Sequence, residues 1–295
     1  MKIVNSAGLF IRKNIKVIIG YSLFCLAAFV LFLIILFPRE AIKKRIIYEI
    51  ELGTSTDIKT SGDKWLFPVG LKFTGMELRN RGIVDNPLLA RIDNIGIDIP
   101  LRSVASLSPV SNISAALYGG TVRGTMTLRS NNRLIKANWA NIDMSRVERL
   151  KSVSVIIEGK ISGDMVLRLA ANQPEGQARF ILRDGKFGKL KIMGFTLPDT
   201  PIDELNGTVD IKDNTLALKE IRFKNSDIKG SITGNIKLAS GGEKGNLDLA
   251  IRFSVGEKMK AQYQGILSFI SQTKDREGYY TLRIKGDPKN PTVGI

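Results

Sequence analysis

The chain contains no histidine among its 295 residues, and only one cysteine. Without histidine there is no imidazole to act as general base or metal ligand, and no Ser-His-Asp or Cys-His arrangement can form. Cys25 lies inside an apolar N-terminal run, so one chain can build neither a disulfide nor a cysteine-based metal centre. The Gly-x-x-x-x-Gly-Lys-Ser/Thr phosphate loop, the strand-turn-helix Gly-x-Gly-x-x-Gly and the Gly-x-Ser-x-Gly elbow are all missing. Carboxylates are scattered, with no pair set apart as an acid/base couple. No cofactor, metal or catalytic residue is therefore expected, and the chain reads as non-enzymatic. A Ser/Lys dyad or carboxylate pair assembled only in three dimensions stays open, which keeps a membrane-tethered hydrolase as an alternative.

Acidic residues are the scarcer charge: 28 against 44 basic ones, a net charge of +16. An excess of this sign attracts polyanions, and anionic lipid headgroups and nucleic acid are equally allowed by it. A polyanion-binding module is accordingly a further alternative. Four of the excess charges, Lys2, Arg12, Lys13 and Lys16, precede residues 17–37, a stretch of 21 residues without a charge. At about 1.5 Å per residue such a stretch spans a hydrocarbon core of roughly 30 Å. A buried core helix of that length would show polar positions, and a cleaved leader would be shorter and end in small residues. Here the run ends in Leu36, Phe37, Pro38 and Arg39. The expectation is one transmembrane anchor with Val17 and Phe37 at its ends. Arg39, Lys43, Lys44 and Arg45 follow the run, so the flanks balance and charge alone does not orient it.

Beyond the run, residues 38–52 read as an amphipathic linker helix. Ile42, Ile46, Ile47 and Ile50 recur at helical spacing, with Lys43, Lys44 and Arg45 elsewhere on the circumference. Packing as the first helix of the domain and lying on a membrane surface fit this pattern equally. From residue 53 the period becomes two. Ile228, Ile232 and Ile236 share one phase against Lys229, Ser231, Thr233 and Asn235, and Leu247, Leu249, Ile251, Phe253 and Val255 form another such run. Phe73, Phe180 and Phe223 also fall mostly on the dry phase. The basic-aromatic platform of a single-strand nucleic-acid binder is thus missing, and nucleic acid is not an expected partner. Roughly fourteen one-faced strands on short connections predict a long, curved antiparallel sheet, either an open groove or a β-sandwich-like pair. Asp184-Gly185, Asp213-Asn214 and Gly241-Gly242 are expected turns. Short helices are expected over 101–107, 143–152 and 257–272, with Asp143 as a cap and Tyr263, Ile266, Leu267 and Ile270 as an apolar stripe.

A small motif, Gly-x-apolar-x-Gly, occurs at 120–124, 159–163 and 230–234, always with both glycines on the dry phase. Two readings fit: bends and packing between layers, or room for a ligand's hydrocarbon chain. On the second reading Val122, Met126, Ile161, Met165, Ile232 and Ile236 are the candidate lining of a lipid groove.

Phe37-Pro-Arg-Glu-Ala41, Trp65-Leu-Phe-Pro-Val-Gly-Leu71, Leu117-Tyr-Gly-Gly-Thr-Val-Arg-Gly124, Leu197-Pro-Asp-Thr-Pro-Ile-Asp-Glu-Leu-Asn-Gly207 and Tyr280-Thr-Leu-Arg-Ile-Lys-Gly-Asp-Pro-Lys-Asn-Pro291 follow one another along the chain. In that order and spacing the sequence resembles the N component of bacterial type II secretion systems, in the form related to AsmA- and TamB-type envelope proteins. The resemblance implies residues 1–16 in the cytoplasm, an inner-membrane span at 17–37, and a periplasmic β domain at 53–295. It also implies a role in secretion or in lipid handling through an apolar β groove. Its expected partners are the inner membrane, phospholipid or lipopolysaccharide acyl chains, and other secretion or outer-membrane assembly proteins. Fourteen strands at about 4.8 Å would stack to some 65 Å.

Overall fold

The computed structural model describes residues 16–17, 19–25, 27–29, 31–32, 39–54, 56–66, 70–81, 87–104, 106, 109–127, 132–148, 156–170, 173–188, 191–192, 195–196, 199–225, 227–238, 245–287 and 291–294. The chain divides into two compact units, Met1–Ile50 and Glu51–Ile295.

In the first unit the described residues between 16 and 32 are helical. Val17, Tyr21, Leu23, Phe24, Phe29 and Phe32 are each more than half exposed. Among the described residues no helix is long and apolar enough to cross a membrane, and Phe37 lies outside them. Helix α1 (Arg39–Thr54) begins with Glu40 in its first turn, where a carboxylate favours the unpaired N–H groups. Its stripe of Ile42, Ile46, Ile47 and Ile50 is half-buried, while Lys44, Arg45 and Tyr48 are exposed.

The second unit is built on one antiparallel sheet of fifteen strands. Strands β1 (Thr56–Lys59) and β2 (Gly62–Leu66) lie end to end along the outer edge of β3 (Gly70–Asn80). The sheet then runs in chain order through β4 (Leu88–Asp98), β5 (Val110–Leu117), β6 (Gly120–Thr127), β7 (Asn132–Asp143), β8 (Ile156–Ala170) and β9 (Gln173–Gly188). A separate hairpin, β10 (Lys191–Ile192) with β11 (Phe195–Thr196), interrupts the order. The meander resumes with β12 (Thr200–Lys212), β13 (Thr215–Lys224), β14 (Ile228–Lys237), β15 (Asn246–Val255), β16 (Tyr280–Gly286) and β17 (Thr292–Gly294). The expectation of a mainly β chain with a long antiparallel sheet and few short helices is met. All fifteen strands are hydrogen-bonded into one sheet.

Alternation gives this sheet its two faces, and complementary cross-strand partners stabilise the wet one. Arg179 donates to Asp164 directly across β8 and β9, Gln177 to Asp210 across β9 and β12, and Asn112 to Asp98 across β4 and β5. The dry face is buried at Leu71 and Phe73 of β3 and, in a larger cluster, near the C-terminal edge. There α3 (Glu257–Phe269) and the residue after it bring Met259, Leu267 and Ile270 against Ile228, Phe253, Val255, Tyr280 and Leu282. Ile270 is fully buried. Of the expected stripe, the side chains of Tyr263 and Ile266 lie outside the described residues. Helix α2 occupies only Leu101–Val104. At 143–152 the described residues give a 3-10 turn, Met144–Arg146, in which the Asp143 carboxylate accepts from the Ser145 N–H, and Glu148 is helical; residues 149–152 lie outside the described ones.

Of the three expected turns, Asp213-Asn214 is one. Both residues have positive φ (48° and 60°), and Lys212 pairs with Thr215 across them, a two-residue hairpin matched to strand twist. Gly241-Gly242 lies outside the described residues. Asp184-Gly185 is not a turn but a bulge within β9, opposite Gly159 of β8. Asp184 has φ 51°, and a bulge uses the left-handed conformation that Asp-Gly accepts as readily as a turn does.

Candidate functional site

Residues directly paired in a ladder project from the same face, so the register can be followed strand by strand. One row reads Phe73, Ile95, Ala115, Val122, Trp139, Gly163, Phe180, Gly207, Ile221, Ile232, Ile251 and Leu282. The next row, two positions along, reads Trp65, Leu71, Ile97, Ile113, Gly124, Ala137, Met165, Ala178, Val209, Leu218, Gly234, Leu249, Ile284 and Val293. Apart from Asp63 of β2, which pairs with Phe73 at the end of the first row, neither row contains a charged side chain. A third runs from Met126 through Ile135, Leu167, Gly176, Ile211, Leu216 and Ile236 to Leu247. A fourth joins Ile142, Ile161, Leu182, Leu205, Phe223, Gly230, Phe253 and Tyr280.

Together the rows form an apolar lane crossing almost every strand. The six candidate lining residues all stand on it: Val122 and Ile232 in the first row, Met165 in the second, Met126 and Ile236 in the third, Ile161 in the fourth. From β5 to β9 every member of the first two rows is half-buried, and so are Leu216, Ile236 and Leu247 in the third. The cluster that includes α3 takes in Leu205, Phe223, Phe253 and Tyr280 of the fourth row and Ile251 and Leu282 of the first.

Bulges keep these rows in phase. Trp139 and Ile142 are three residues apart yet share the face, because Asn141 takes φ 55° and its N–H donates to Ser162 Oγ (2.9 Å). Leu218 and Ile221 are also three apart, with a register shift between them. Counting by twos from sequence loses the lane at both points.

Four of the six repeated glycines resolve into two uses. A Cβ on Gly163 would come within 2.6 Å of the Trp139 ring, and one on Gly230 within 2.5 Å of the Phe223 ring. A cross-strand aromatic ring thus fills the space at each, the device that restores packing to a strand glycine. Gly159 and Gly234 instead have positive φ, 117° and 132°. These positions follow the packing-and-bend reading of the motif; the lane's apolar character comes from the side chains between them.

Two polar features went unremarked in sequence. Tyr118 and Gly119, φ 51° and 75°, form the β5–β6 hairpin turn. The Tyr118 hydroxyl accepts from the Arg91 N–H (3.0 Å) and donates to Glu148 Oε2 (2.8 Å). Burial, with the Glu148 carboxylate beside it, pushes this hydroxyl up to about 12. The other is a pocket of about 490 Å³ on the wet face of β12–β15, lined by Arg222, Lys224, Lys229, Arg252 and Ser231 and also by Glu204 and Glu220. Ser231 and Lys229 share that pocket without a hydrogen bond between them. Among the described residues no group of three or more Cys, Asp or Glu is placed to hold a metal ion. No protein-family model, curated protein or solved structure matches the chain.

Proposed function

We propose that this chain is a non-enzymatic, membrane-tethered component of the bacterial cell envelope whose sheet holds lipid acyl chains along its apolar lane. The observation that carries the reading is the unbroken pair of apolar rows, left half-exposed from β5 to β9. The lane crosses fourteen strands from β2 to β17, about 60 Å at 4.8 Å per strand, and its rows lie about 7 Å apart. Its footprint is on the order of 1,000 Å². The thirteen residues of α3 make a rod about 20 Å long and 10 Å wide, which covers about a fifth of that. Leu71, Phe73 and Ile221 are buried as well, so a hydrocarbon ligand would satisfy the half-buried stretch from β5 to β9, without asking for hydrogen bonds.

The membrane anchor at 17–37 belongs to the same proposal, supported by its uncharged run and by the exposure of its described apolar side chains. A span there, with α1 at the membrane surface, would place the sheet beside its lipid source. In this reading the anchor lies in the inner membrane with the sheet in the periplasm, and the chain works with secretion or outer-membrane assembly proteins of the type II secretion or AsmA-like class. That assignment rests on the sequence resemblance. The test is native mass spectrometry and lipid extraction on the full chain from bacterial membranes, beside Met165→Glu and Ile232→Glu. Co-purified phospholipid, lost in variants that keep the wild-type circular dichroism, is the expected result. A lipid-free wild type, or variants that retain the lipid, would refute the acyl-chain reading.

A further inference from the structure

The wet face pairs many of its cations with carboxylates. Arg179 lies on Asp164, Lys186 on Asp199, Lys219 on Asp210 and Lys285 on Asp248. The pocket over β12–β15 is arranged differently. Lys224 at the end of β13 stands directly across from Lys229 at the start of β14. Side chains so placed have Cβ atoms about 5 Å apart, and like charges there repel. Neither ammonium has a carboxylate within 4 Å among the described residues. Glu204, across from Lys224 on β12, instead accepts from Asn206 Nδ2 (2.8 Å). Lys229 Nζ has only the face of Tyr279, at 5.7 Å.

Two positions further along the same face, Ser231 stands between Arg222 and Arg252. Both guanidinium groups are fixed by neighbours. Arg222 is held by Glu220, and Arg252 by Asp275 and Glu277 while stacked 4.1 Å over Tyr279. The pocket therefore combines two arginines held by carboxylates, two lysines at directly opposed ladder positions, and the carboxylates of Glu204 and Glu220. A dianion placed between the lysines would turn their repulsion into two charge-assisted hydrogen bonds. At about 490 Å³ the space takes a phosphoryl group with a short ester substituent.

We infer that Lys224 and Lys229, with Arg222, Ser231 and Arg252 around them, form a binding site for a phosphomonoester. The inference concerns the polar face and does not rest on the acyl-chain reading of the other face. The same chemistry is offered by a lipid headgroup and by a soluble phosphate ester, and the test separates them. Full-length protein in detergent is titrated calorimetrically with glycerol 3-phosphate and with dihexanoyl phosphatidate. The Lys224→Gln/Lys229→Gln variant is compared with Lys136→Gln/Lys212→Gln, which removes the same charge from exposed strand positions elsewhere.

The site predicts binding that weakens by about tenfold or more in the first variant and stays within about twofold in the second. Equal affinity for the two probes marks a soluble ester as sufficient; tighter binding of the phosphatidate marks a lipid. Each supports the site. A thermal melt gives an independent reading: removing the opposed charges raises the midpoint without ligand and abolishes the further rise that phosphate ester gives the wild type. No binding of either probe, or equal loss in the two variants, overturns the inference.

Discussion

Replacing Gly163 by alanine places a methyl group where the structure has none to spare. Its Cβ would stand 2.2 Å from the Arg179 carbonyl oxygen and 2.6 Å from Cζ2 of Trp139. The first obstacle is the backbone of a neighbouring strand, which moves only if β8 and β9 part; the second is a large ring pinned in the row. Overpacking of this kind costs about 3 kcal/mol, at the upper end of the usual range. Gly207 lies in the same row, but its Cβ would meet Ile221 Cγ1 at 2.7 Å and the Ile221 backbone only at 3.1 Å, a milder clash than the one with a carbonyl oxygen at Gly163. There the cost falls to about 1 kcal/mol. Gly294 has nothing within 4 Å, so its replacement is neutral or slightly stabilising through the unfolded chain. For a unit of this size about 3 kcal/mol lowers the melting midpoint by roughly 6–12 °C. The assay is thermal and urea unfolding of the three variants in a Trp65→Phe background, where Trp139 is the sole tryptophan reporter. Gly163→Ala is also expected to shift the Trp139 emission in the folded state. A Gly163→Ala protein as stable as wild type, with unchanged emission, would refute the register between β7 and β8, and with it the lane.

Burial predicts a second contrast along the dry face. Ile270→Ala, at the fully buried position that follows α3, is expected to cost about 3 kcal/mol, whereas Ile236→Ala on the open lane is expected to cost under about 1.5 kcal/mol. Equal losses by urea unfolding would mean that something covers the lane in the free protein. Tyr118→Phe removes the acceptor of the Arg91 N–H and the donor to Glu148, at a cost of about 1–2 kcal/mol for half-buried partners. The Tyr118 hydroxyl titrates higher when folded than the usual value near 10, so its contribution is complete below about pH 10 and disappears as pH rises through about 12. Melting midpoints measured across that window should fall more steeply in the wild type than in Tyr118→Phe.

Most of the sheet is legible in the sequence because burial on one face imposes period two wherever strands run straight. The runs at 228–237 and 246–255 follow their phase from end to end, and their register in the ladder agrees with it. The pattern becomes opaque where a bulge inserts a residue. At Asn141, Asp184 and Lys219-Glu220 the apolar spacing changes from two to three, and only pairing with the next strand shows that the face is conserved. Asp-Gly at 184–185 carries the chemistry of a turn, and its surroundings make it a bulge. Helix lengths were less legible still. The 101–107 segment stops at Val104, since so short a helix depends on contacts that local sequence does not encode.

The lane and the pocket differ in how far sequence reveals them, and the reason is physical. A dry face is a property of each strand, so Val122, Met126, Met165 and Ile236 identify themselves before any pairing is known. The pocket is a property of register. Lys224 and Lys229 are five residues apart around a tight connection, Arg252 comes from the next strand, and Tyr279 follows a helix and a loop. Nothing in their spacing marks them as neighbours. The same holds for the glycines: Gly163 and Gly230 repeat in a motif that looks like space for a ligand, and the pairing shows each space filled by Trp139 or Phe223. A glycine beside an aromatic row is therefore a packing device in this sheet. What the lane offers to hydrocarbon must come from its uncovered width and not from gaps beneath its rings. A bound chain would accordingly lie along the strand rows, sensitive to a charge at Met165 or Ile232. Moderate trimming at Val122 should affect it little, because a broad apolar track loses only a fraction of its contact area when one side chain is shortened.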